Sequence, residues 1–152
     1  MQVRRPSILD VDEICRIMVS TDPYITLGYS RDMCIDISIS SIEEGWAYVA
    51  ELEGSVVGFV LFRVFDGFPL GGYIRAIAVD ERYRGRGIGR LLMDAAERDI
   101  FRYRGNSFLL VSGFNYRAVK FYRSLGYEIV GEIRDAIIED ESEFIMRKRR
   151  GG

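Results

Sequence analysis

The spacing of apolar residues along the chain alternates between a helical and an extended pattern. From Val11 to Val19 apolar positions recur every three or four residues, which predicts an amphipathic helix beginning at Asp10. Asp10 followed by Glu13 has the spacing of a capping box. The isoleucines between Arg31 and Glu44 fit either a helix or a strand, and a helix closed by Gly45 is the prediction. Helical patterns are predicted over residues 10–19, 31–44, from the glycine-rich segment to about 104, and 115–125.

Apolar runs bounded by glycine, proline and acidic turns predict the strands. Seven are expected, over residues 2–5, 46–52, 56–65, 73–79, 108–111, 127–133 and 142–147. Strands joined by short turns pair antiparallel, whereas a strand–helix–strand unit across the glycine-rich segment implies one parallel pair. The chain therefore predicts an α+β fold, with a mixed, mostly antiparallel central sheet of about seven strands and helices on both faces. No linker or repeat divides residues 1–152, so a single domain is expected.

The composition narrows the class of protein. With 152 residues, 48% of them apolar and 29% charged, the chain has enough apolar surface for a hydrophobic core. A formal charge of -2 argues against binding nucleic acid through the overall field. No apolar run is long enough to span a bilayer, and the amino terminus is charged, so no membrane partner and a cytoplasmic location are expected.

The absence of histidine excludes whole classes of chemistry. Without histidine there is no histidine-ligated zinc and no nucleophile–histidine pair, so the common hydrolase triads are ruled out. Cys15 and Cys34 are too few for a disulfide framework and lack metal-ligand spacing. They are expected to be small core residues, and no metal site is predicted.

A glycine-rich segment, residues 82–89, follows a predicted strand and precedes a predicted helix. Glycines let the backbone approach an anion, the first helical turn offers unpaired N–H groups, and arginines suit phosphate. A nucleoside-triphosphate loop would need Gly-Lys-Ser/Thr, which is absent. A dinucleotide fingerprint needs Gly-x-Gly-x-x-Gly, whereas the glycines here are spaced Gly-x-Gly-x-Gly. A tight turn with no ligand is the remaining alternative.

Two motifs carry a resemblance to a known family. Arg84-x-x-Gly87-x-Gly89 resembles the acyl-coenzyme A pyrophosphate loop of the GNAT superfamily of N-acetyltransferases. Residues 115–127 resemble the same family's Asn-x-x-Ala-x-x-Phe-Tyr-x-x-x-Gly-Phe motif, and the element order agrees from residue 2 to about 148. The resemblance implies a GNAT-like sheet that is splayed at an acyl-CoA cleft, and direct transfer of an acetyl group from acetyl-CoA to an amine.

The resemblance also implies site residues. Backbone N–H groups from Arg84 to Arg90 would hold the pyrophosphate, and the strand around Ile77–Val79 would pair with the pantetheine arm. Asn115 matches a pantetheine contact, although capping the helix that begins there is an equal alternative. Tyr122 matches the general acid that protonates the leaving thiolate, since a phenol of pKa about 10 can donate to a thiol of pKa about 8.5. The implied acetyl-CoA contacts are Ile77, Ala78, Val79, Arg84, Gly85, Arg86, Gly87, Ile88, Gly89, Arg90, Asn115 and Tyr122.

The general base is where the chain departs from the family. Tyr73 and Leu110 occupy the strand positions at which family members often carry a glutamate. The remaining candidates are a water relayed by backbone carbonyls, or one of the carboxylates Asp80, Glu139, Asp140, Glu141 and Glu143. An α-amino group, with a pKa of about 7.7–8.0, needs less help than a lysine at about 10.4. A weak base therefore favours peptide N-termini or other low-pKa amines.

The acceptor site is predicted in the irregular loop of residues 22–32. Tyr24, Tyr29 and Trp46 are expected as its walls, with acidic residues of the closing turn facing a cationic amine; alternatively, the tyrosines only pack the loop onto the sheet. The interpretation is an N-acetyltransferase for protein N-terminal amines. A small-molecule amine acetyltransferase and a non-catalytic acyl-CoA sensor are the alternatives, and a homodimer is left open.

Overall fold

The computed structural model describes all 152 residues and contains the predicted helices and strands in the predicted order. Their bounds are β1 Gln2–Arg4, α1 Val11–Val19, α2 Arg31–Glu44, β2 Ala47–Leu52, β3 Ser55–Gly67, β4 Gly71–Val79, α3 Ile88–Tyr103, β5 Asn106–Ser112, α4 Tyr116–Ser124, β6 Glu128–Arg134 and β7 Ser142–Arg149. No helix is both long and apolar enough to cross a membrane.

The seven strands form one sheet in the order β1-β2-β3-β4-β5-β7-β6. All neighbours pair antiparallel except β4 and β5, which are parallel because α3 crosses over between them. The predicted fold class, a mixed and mostly antiparallel sheet, is therefore confirmed.

Helices cover the two faces of the sheet unequally. α1 and α2 pack on one face, where Ile14 and Ile17 join Phe59 and Ala76 in a buried cluster. α3 and α4 pack on the other face, where Leu92, Met93 and Tyr122 meet Val60 and Ile74. Because α1 and α2 pack against β3 and β4, they leave the β5–β7–β6 half of their face uncovered, and Leu110 of β5 is 43% exposed there.

α2 is a helix despite its alternating isoleucines. Its buried stripe is Cys34, Ser38 and Ser41, at helical spacing and facing α1, so small and polar residues carry the period that apolar ones usually show. The Ser30 side chain accepts a hydrogen bond from the N–H of Met33, and Gly45 ends the helix in the left-handed region at φ 81°.

Two local predictions need correction. Asp10 does not cap α1 with its side chain; it belongs to a capping box with Ser7, whose N–H donates to the Asp10 carboxylate at 2.8 Å. The chain therefore turns into its first helix three residues earlier, through a short 3₁₀ segment. Cys15 and Cys34 are fully buried as expected, but they are joined in a disulfide that ties α1 to α2.

Candidate active site

The sheet opens between β4 and β5. The two strands pair only where residues 72–74 meet residues 107–109. Beyond that point β4 continues to Val79 beside β3 alone, and β5 continues to Ser112 beside β7 alone. The resulting gap lies between residues 75–79 of β4 and residues 110–112 of β5, and it confirms the predicted splay of the sheet.

The glycine-rich loop lies at the β4 end of this gap. Gly85 and Gly87 have φ values of +77° and +79°, a region in which other residues are strained. The N–H groups of residues 85–90 have no acceptor within the chain, whereas the N–H of Arg84 bonds to the carbonyl of Glu81 at 3.4 Å. Unpaired N–H groups at a helix N-terminus form an anion site, so the loop has the geometry to bind a pyrophosphate.

Asp80 fixes the start of the loop. Its carboxylate pairs with Arg82 at 2.9 Å and with Arg16 of α1 at 3.3 Å. The hydrogen bond from Arg82, more than the other contacts, holds the pKa of Asp80 far below its usual range. Asp80 is therefore a poor proton acceptor at neutral pH, which argues against it as the general base.

Three arginines of the loop region remain available to an anion. Arg84, Arg86 and Arg90 are exposed and form no ion pair within the chain, whereas Arg82 is held by Asp80. The Arg86 guanidinium lies 5.2 Å from the ring centroid of Tyr83. The loop therefore offers both directed N–H groups and positive charge.

α4 packs directly onto the first turn of α3. A Cβ on Gly89 would lie 3.2 Å from Cζ of Phe121, so the Phe121 ring would have to shift by a few tenths of an ångström to admit a side chain. Asn115 accepts a hydrogen bond from the N–H of Ala118 at 3.3 Å, which is the capping role, and its own amide N–H groups are left unbonded. Asn115 can therefore cap α4 and still donate to a ligand.

Tyr122 lies in the interior next to the gap. Its residue is 8% exposed, its ring contacts those of Phe121 and Tyr127, and its hydroxyl forms no hydrogen bond within the chain. Burial raises the pKa of the Tyr122 hydroxyl. The group is thus a protonated phenol at neutral pH with an uncommitted proton, as a general acid requires.

Tyr24 reaches the gap from the opposite face of the sheet. Its hydroxyl accepts a hydrogen bond from the N–H of Ile77 at 3.0 Å and donates to the carbonyl of Ile77 at 3.1 Å. Ile77, expected to pair with pantetheine, already has both backbone groups occupied. Because alternate residues of a strand face the same edge, Val79 presents its backbone groups there as well. No sequence signal indicates this contact, which joins residues 53 positions apart.

The three aromatic residues predicted to line the acceptor site lie on different faces of the sheet. The rings of Tyr24 and Tyr29 meet edge to face at 5.2 Å, as expected for one wall of an acceptor site. Trp46 does not join them. Its indole packs against Phe62 and Tyr103, at the carboxyl end of α3 on the other face of the sheet. The prediction that Trp46 lines the acceptor site is wrong.

The face opposite α3 gathers Tyr73, Leu110 and Glu143 around the gap. Tyr73 pairs with Phe108 at the closed end, and burial raises the pKa of its hydroxyl. Glu143 of β7 lies across from Ser112 and is buried, whereas Glu139 and Asp140 are exposed in the β6–β7 turn. Of the acidic run, Glu143 is thus the member that the fold brings to the cleft.

Comparison with known proteins agrees with this geometry. The model of the acetyltransferase (GNAT) family matches residues 12–127. The chain belongs to the GNAT acetyltransferase family. It is 30% identical to an N-alpha-acetyltransferase from Sulfolobus acidocaldarius and 27% identical to one from Sulfurisphaera tokodaii, in each case over 95% of this chain and 90% of the relative.

A solved structure shows the same GNAT fold. Ard1 from Thermoplasma volcanium superimposes with a TM-score of 0.81 and 25% identity, over 97% of this chain and 96% of that one. The protein is therefore an acyl-CoA-dependent N-acetyltransferase that transfers an acetyl group to an amine, with acetyl-CoA as co-substrate.

Proposed function

We propose that this GNAT enzyme acetylates the α-amino group of peptide or protein N-termini by direct transfer from acetyl-CoA. The observation that carries the proposal is the gap between β4 and β5, which has an anion-binding loop beside one face and a buried carboxylate with tyrosines beside the other. Donor and acceptor can then approach the same point from opposite faces.

On the donor side, the loop supplies the binding energy. The N–H groups of residues 85–90 hold the pyrophosphate, helped by Arg84, Arg86 and Arg90. Val79 and the edge of β4 align the pantetheine arm, next to Ala78, and Asn115 donates from its amide. These contacts bring the thioester into the gap beside Tyr122, whose hydroxyl protonates the departing thiolate.

On the acceptor side, the α1–α2 loop covers the amine. Tyr24, hydrogen-bonded to Ile77, and Tyr29 form one wall of the acceptor site. Leu110 of β5 offers apolar surface on the other side of the gap. The two N-alpha-acetyltransferases with 27% and 30% identity support an α-amino acceptor. So does the amine's pKa of about 7.7–8.0, which leaves a useful neutral fraction near neutrality.

A matched set of acceptors tests the proposal. Each peptide is offered with a free N-terminus, with the N-terminus blocked and one internal lysine free, and alongside small polyamines. Thiol release gives the rate, and mass spectrometry locates the acetyl group. We expect the free N-terminus to be preferred over the lysine by at least about tenfold. Faster acetylation of polyamines would assign a small-molecule enzyme, and acetyl-CoA binding without thiol release would indicate a sensor.

We also propose that the enzyme is cytoplasmic and forms a homodimer. Val130 and Ile133 are exposed on the edge strand β6, which supports a dimer interface there. Cytosolic disulfides persist mainly in hyperthermophiles, so a cytoplasmic location together with the Cys15–Cys34 disulfide implies a source of that kind. Light scattering on the purified protein and cell fractionation under alkylating conditions test the two proposals separately.

A further inference from the structure

Glu143 is a largely buried carboxylate with no cationic partner. The residue is 5% exposed and has no cation within ion-pair distance. Ser112, 1% exposed and directly across the strand pair, is its polar neighbour, and the Ser112 hydroxyl donates to no other group. Largely burying a charge without a cation beside it is costly, so this position points to a cationic partner that binds from outside.

The strand register places Glu143 at the open end of the gap. β5 ends at Ser112, which lies opposite Glu143 of β7. The adjacent pair, Val111 and Phe144, packs toward α3, so Ser112 and Glu143 point to the other face. From that same face Tyr24 contacts Ile77 of β4, on the other side of the gap.

The charged and titratable groups around Glu143 do not neutralise its carboxylate. Burial raises the pKa of Glu143 more than any other cause. The Ser112 hydroxyl lowers that pKa, and the nearby Glu141 raises it by less. Tyr73 on β4 is close enough to feel the charges of Arg75, Tyr29 and Glu143. Arg75 forms no ion pair, and none of these groups neutralises Glu143.

We propose that Glu143 binds the ammonium group of the acceptor and accepts its proton before attack. The inference rests on the proposed function and names the base that the family positions, Tyr73 and Leu110, do not supply as a carboxylate. Among the carboxylates near the cleft, Asp80 is held by two arginines and the others lie in the β6–β7 turn. Glu143 alone lies at the gap, is buried and forms no ion pair.

In the proposed step the acceptor ammonium gives up two protons and the departing thiolate takes one. The acceptor ammonium loses one proton to the Glu143 carboxylate, and the neutral nitrogen forms a C–N bond with the acetyl carbonyl carbon. As the tetrahedral adduct collapses, the C–S bond breaks and the thiolate takes the proton of the Tyr122 hydroxyl. The nitrogen's second proton replaces that one through water, and Glu143 releases its proton to solvent, so one proton is produced per acetyl group transferred.

The substitution Glu143→Gln tests the role, with Glu132→Gln as the matched control, since Glu132 is exposed on β6 opposite Phe144, which packs toward the α3 face. Glutamine keeps the shape and removes the charge, and removing an unpaired buried charge should not lower the melting temperature. We expect kcat/KM for a free-N-terminus peptide at pH 7 to fall by about 100-fold or more, as for loss of a general base. Acetyl-CoA affinity should stay within about twofold, and Glu132→Gln should change neither value beyond about twofold.

The pH profile separates catalysis from structure. Above about pH 9 an α-amino group is mostly neutral, so the deficit of Glu143→Gln should shrink to less than about tenfold. Glu143→Asp, which keeps the charge on a shorter side chain, should recover part of the rate at pH 7. A purely structural role would give a pH-independent loss with no rescue by aspartate.

The outcomes also separate this inference from the proposed function. If the wild-type protein acetylates peptide N-termini and Glu143→Gln matches it at every pH, the inference fails and the function stands. If the wild type acetylates no N-terminus, the function fails and takes this assignment of the acceptor's ammonium with it. Equal losses in Glu132→Gln and Glu143→Gln would also overturn the specific role of Glu143.

Discussion

At the scale of single residues, Tyr122 can be tested without disturbing the fold. Its hydroxyl forms no hydrogen bond within the chain, so Tyr122→Phe removes a proton donor and leaves the packing in place. We expect kcat to fall by about 10²–10⁴-fold under conditions in which chemistry limits the rate. The acetyl-CoA dissociation constant, measured by calorimetry, should change little.

Tyr127→Phe is the matched control for Tyr122. The Tyr127 hydroxyl donates to Glu97 at 3.0 Å and lies 2.8 Å from Ser107 Oγ, in a buried network that Lys148 completes. Its loss should lower the free energy of unfolding by about 1–3 kcal/mol and leave kcat nearly unchanged. If Tyr122→Phe behaved in the same way, Tyr122 would be a structural residue.

The residues that could and could not be predicted from the sequence differ in the range of their contacts. Gly85, Gly87 and Tyr122 belong to local motifs, so their places follow from a few neighbouring positions. The contact of Tyr24 with Ile77 and the displacement of Trp46 depend on which face each strand presents and on where α3 ends. Glu143 could be named only as one of several carboxylates, because burial, which singles it out, depends on the assembled sheet.

At the scale of elements, the contribution of the turn into α3 to acetyl-CoA binding can be distinguished from the effect of backbone strain on stability. Gly87→Ala places a side chain at φ +79°, which costs about 1–2 kcal/mol, and changes a loop whose N–H groups are proposed to hold the pyrophosphate. We expect acetyl-CoA affinity to fall by about tenfold or more. Titration of acetyl-CoA by calorimetry and urea unfolding give the two quantities.

Gly28→Ala is the control for that strain. Gly28 has φ +77° with no atom near the position of a Cβ, in the α1–α2 loop away from the glycine-rich turn. The Gly28→Ala variant should lose a similar amount of stability and keep its affinity for acetyl-CoA. Equal losses of affinity in both variants would mean that the effect at Gly87 is general destabilisation.

The disulfide between α1 and α2 brackets the loop that carries Tyr24 and Tyr29. Cys15 and Cys34 are 19 positions apart, so the cross-link restricts a loop for which a stabilisation of about 3 kcal/mol is typical. We expect Cys34→Ala to lower the free energy of unfolding by about that amount, and to raise the KM for the acceptor more than the KM for acetyl-CoA. Urea unfolding with and without reductant, and steady-state kinetics, measure both effects. A wild-type protein insensitive to reductant in urea would contradict the cross-link.

At the scale of the whole molecule, the site is assembled from both ends of the chain. The α1–α2 loop supplies Tyr24, the middle of the chain supplies the glycine-rich turn and Tyr122, and β7 supplies Glu143. The order of elements and the single parallel pair could be predicted because turn lengths and crossover rules are local. Which side chains meet across the gap could not, since a register change of one residue exchanges the faces of a strand.

Two groups of ion pairs, one centred on Arg4 and the other on Asp80, hold the first elements onto the sheet. Arg4 of β1 pairs with Asp10 at 2.9 Å and with Glu51 of β2 at 3.1 Å, and Asp80 joins Arg16 of α1 to the loop before α3. The hydrogen bond from Arg4 lowers the pKa of Asp10, as that from Arg82 lowers the pKa of Asp80. Both carboxylates are more acidic folded than unfolded, so they stabilise the fold above the unfolded pKa of about 3.9.

The dependence of stability on pH should therefore have two phases of opposite sign. The raised pKa of Glu143 means that the folded state binds its proton more tightly, so stability should rise slightly as the pH falls from neutral through that pKa. Below about pH 4 protonation of Asp10 and Asp80 in the unfolded state should lower stability steeply. Urea midpoints between pH 7 and 3 measure both phases. Glu143→Gln should remove the first and Asp80→Asn should weaken the second, while Asp36→Asn, an exposed control, should preserve both. A steady decline from pH 7 in the wild type, unchanged in Glu143→Gln, would contradict the burial of an unpaired carboxylate at the acceptor face.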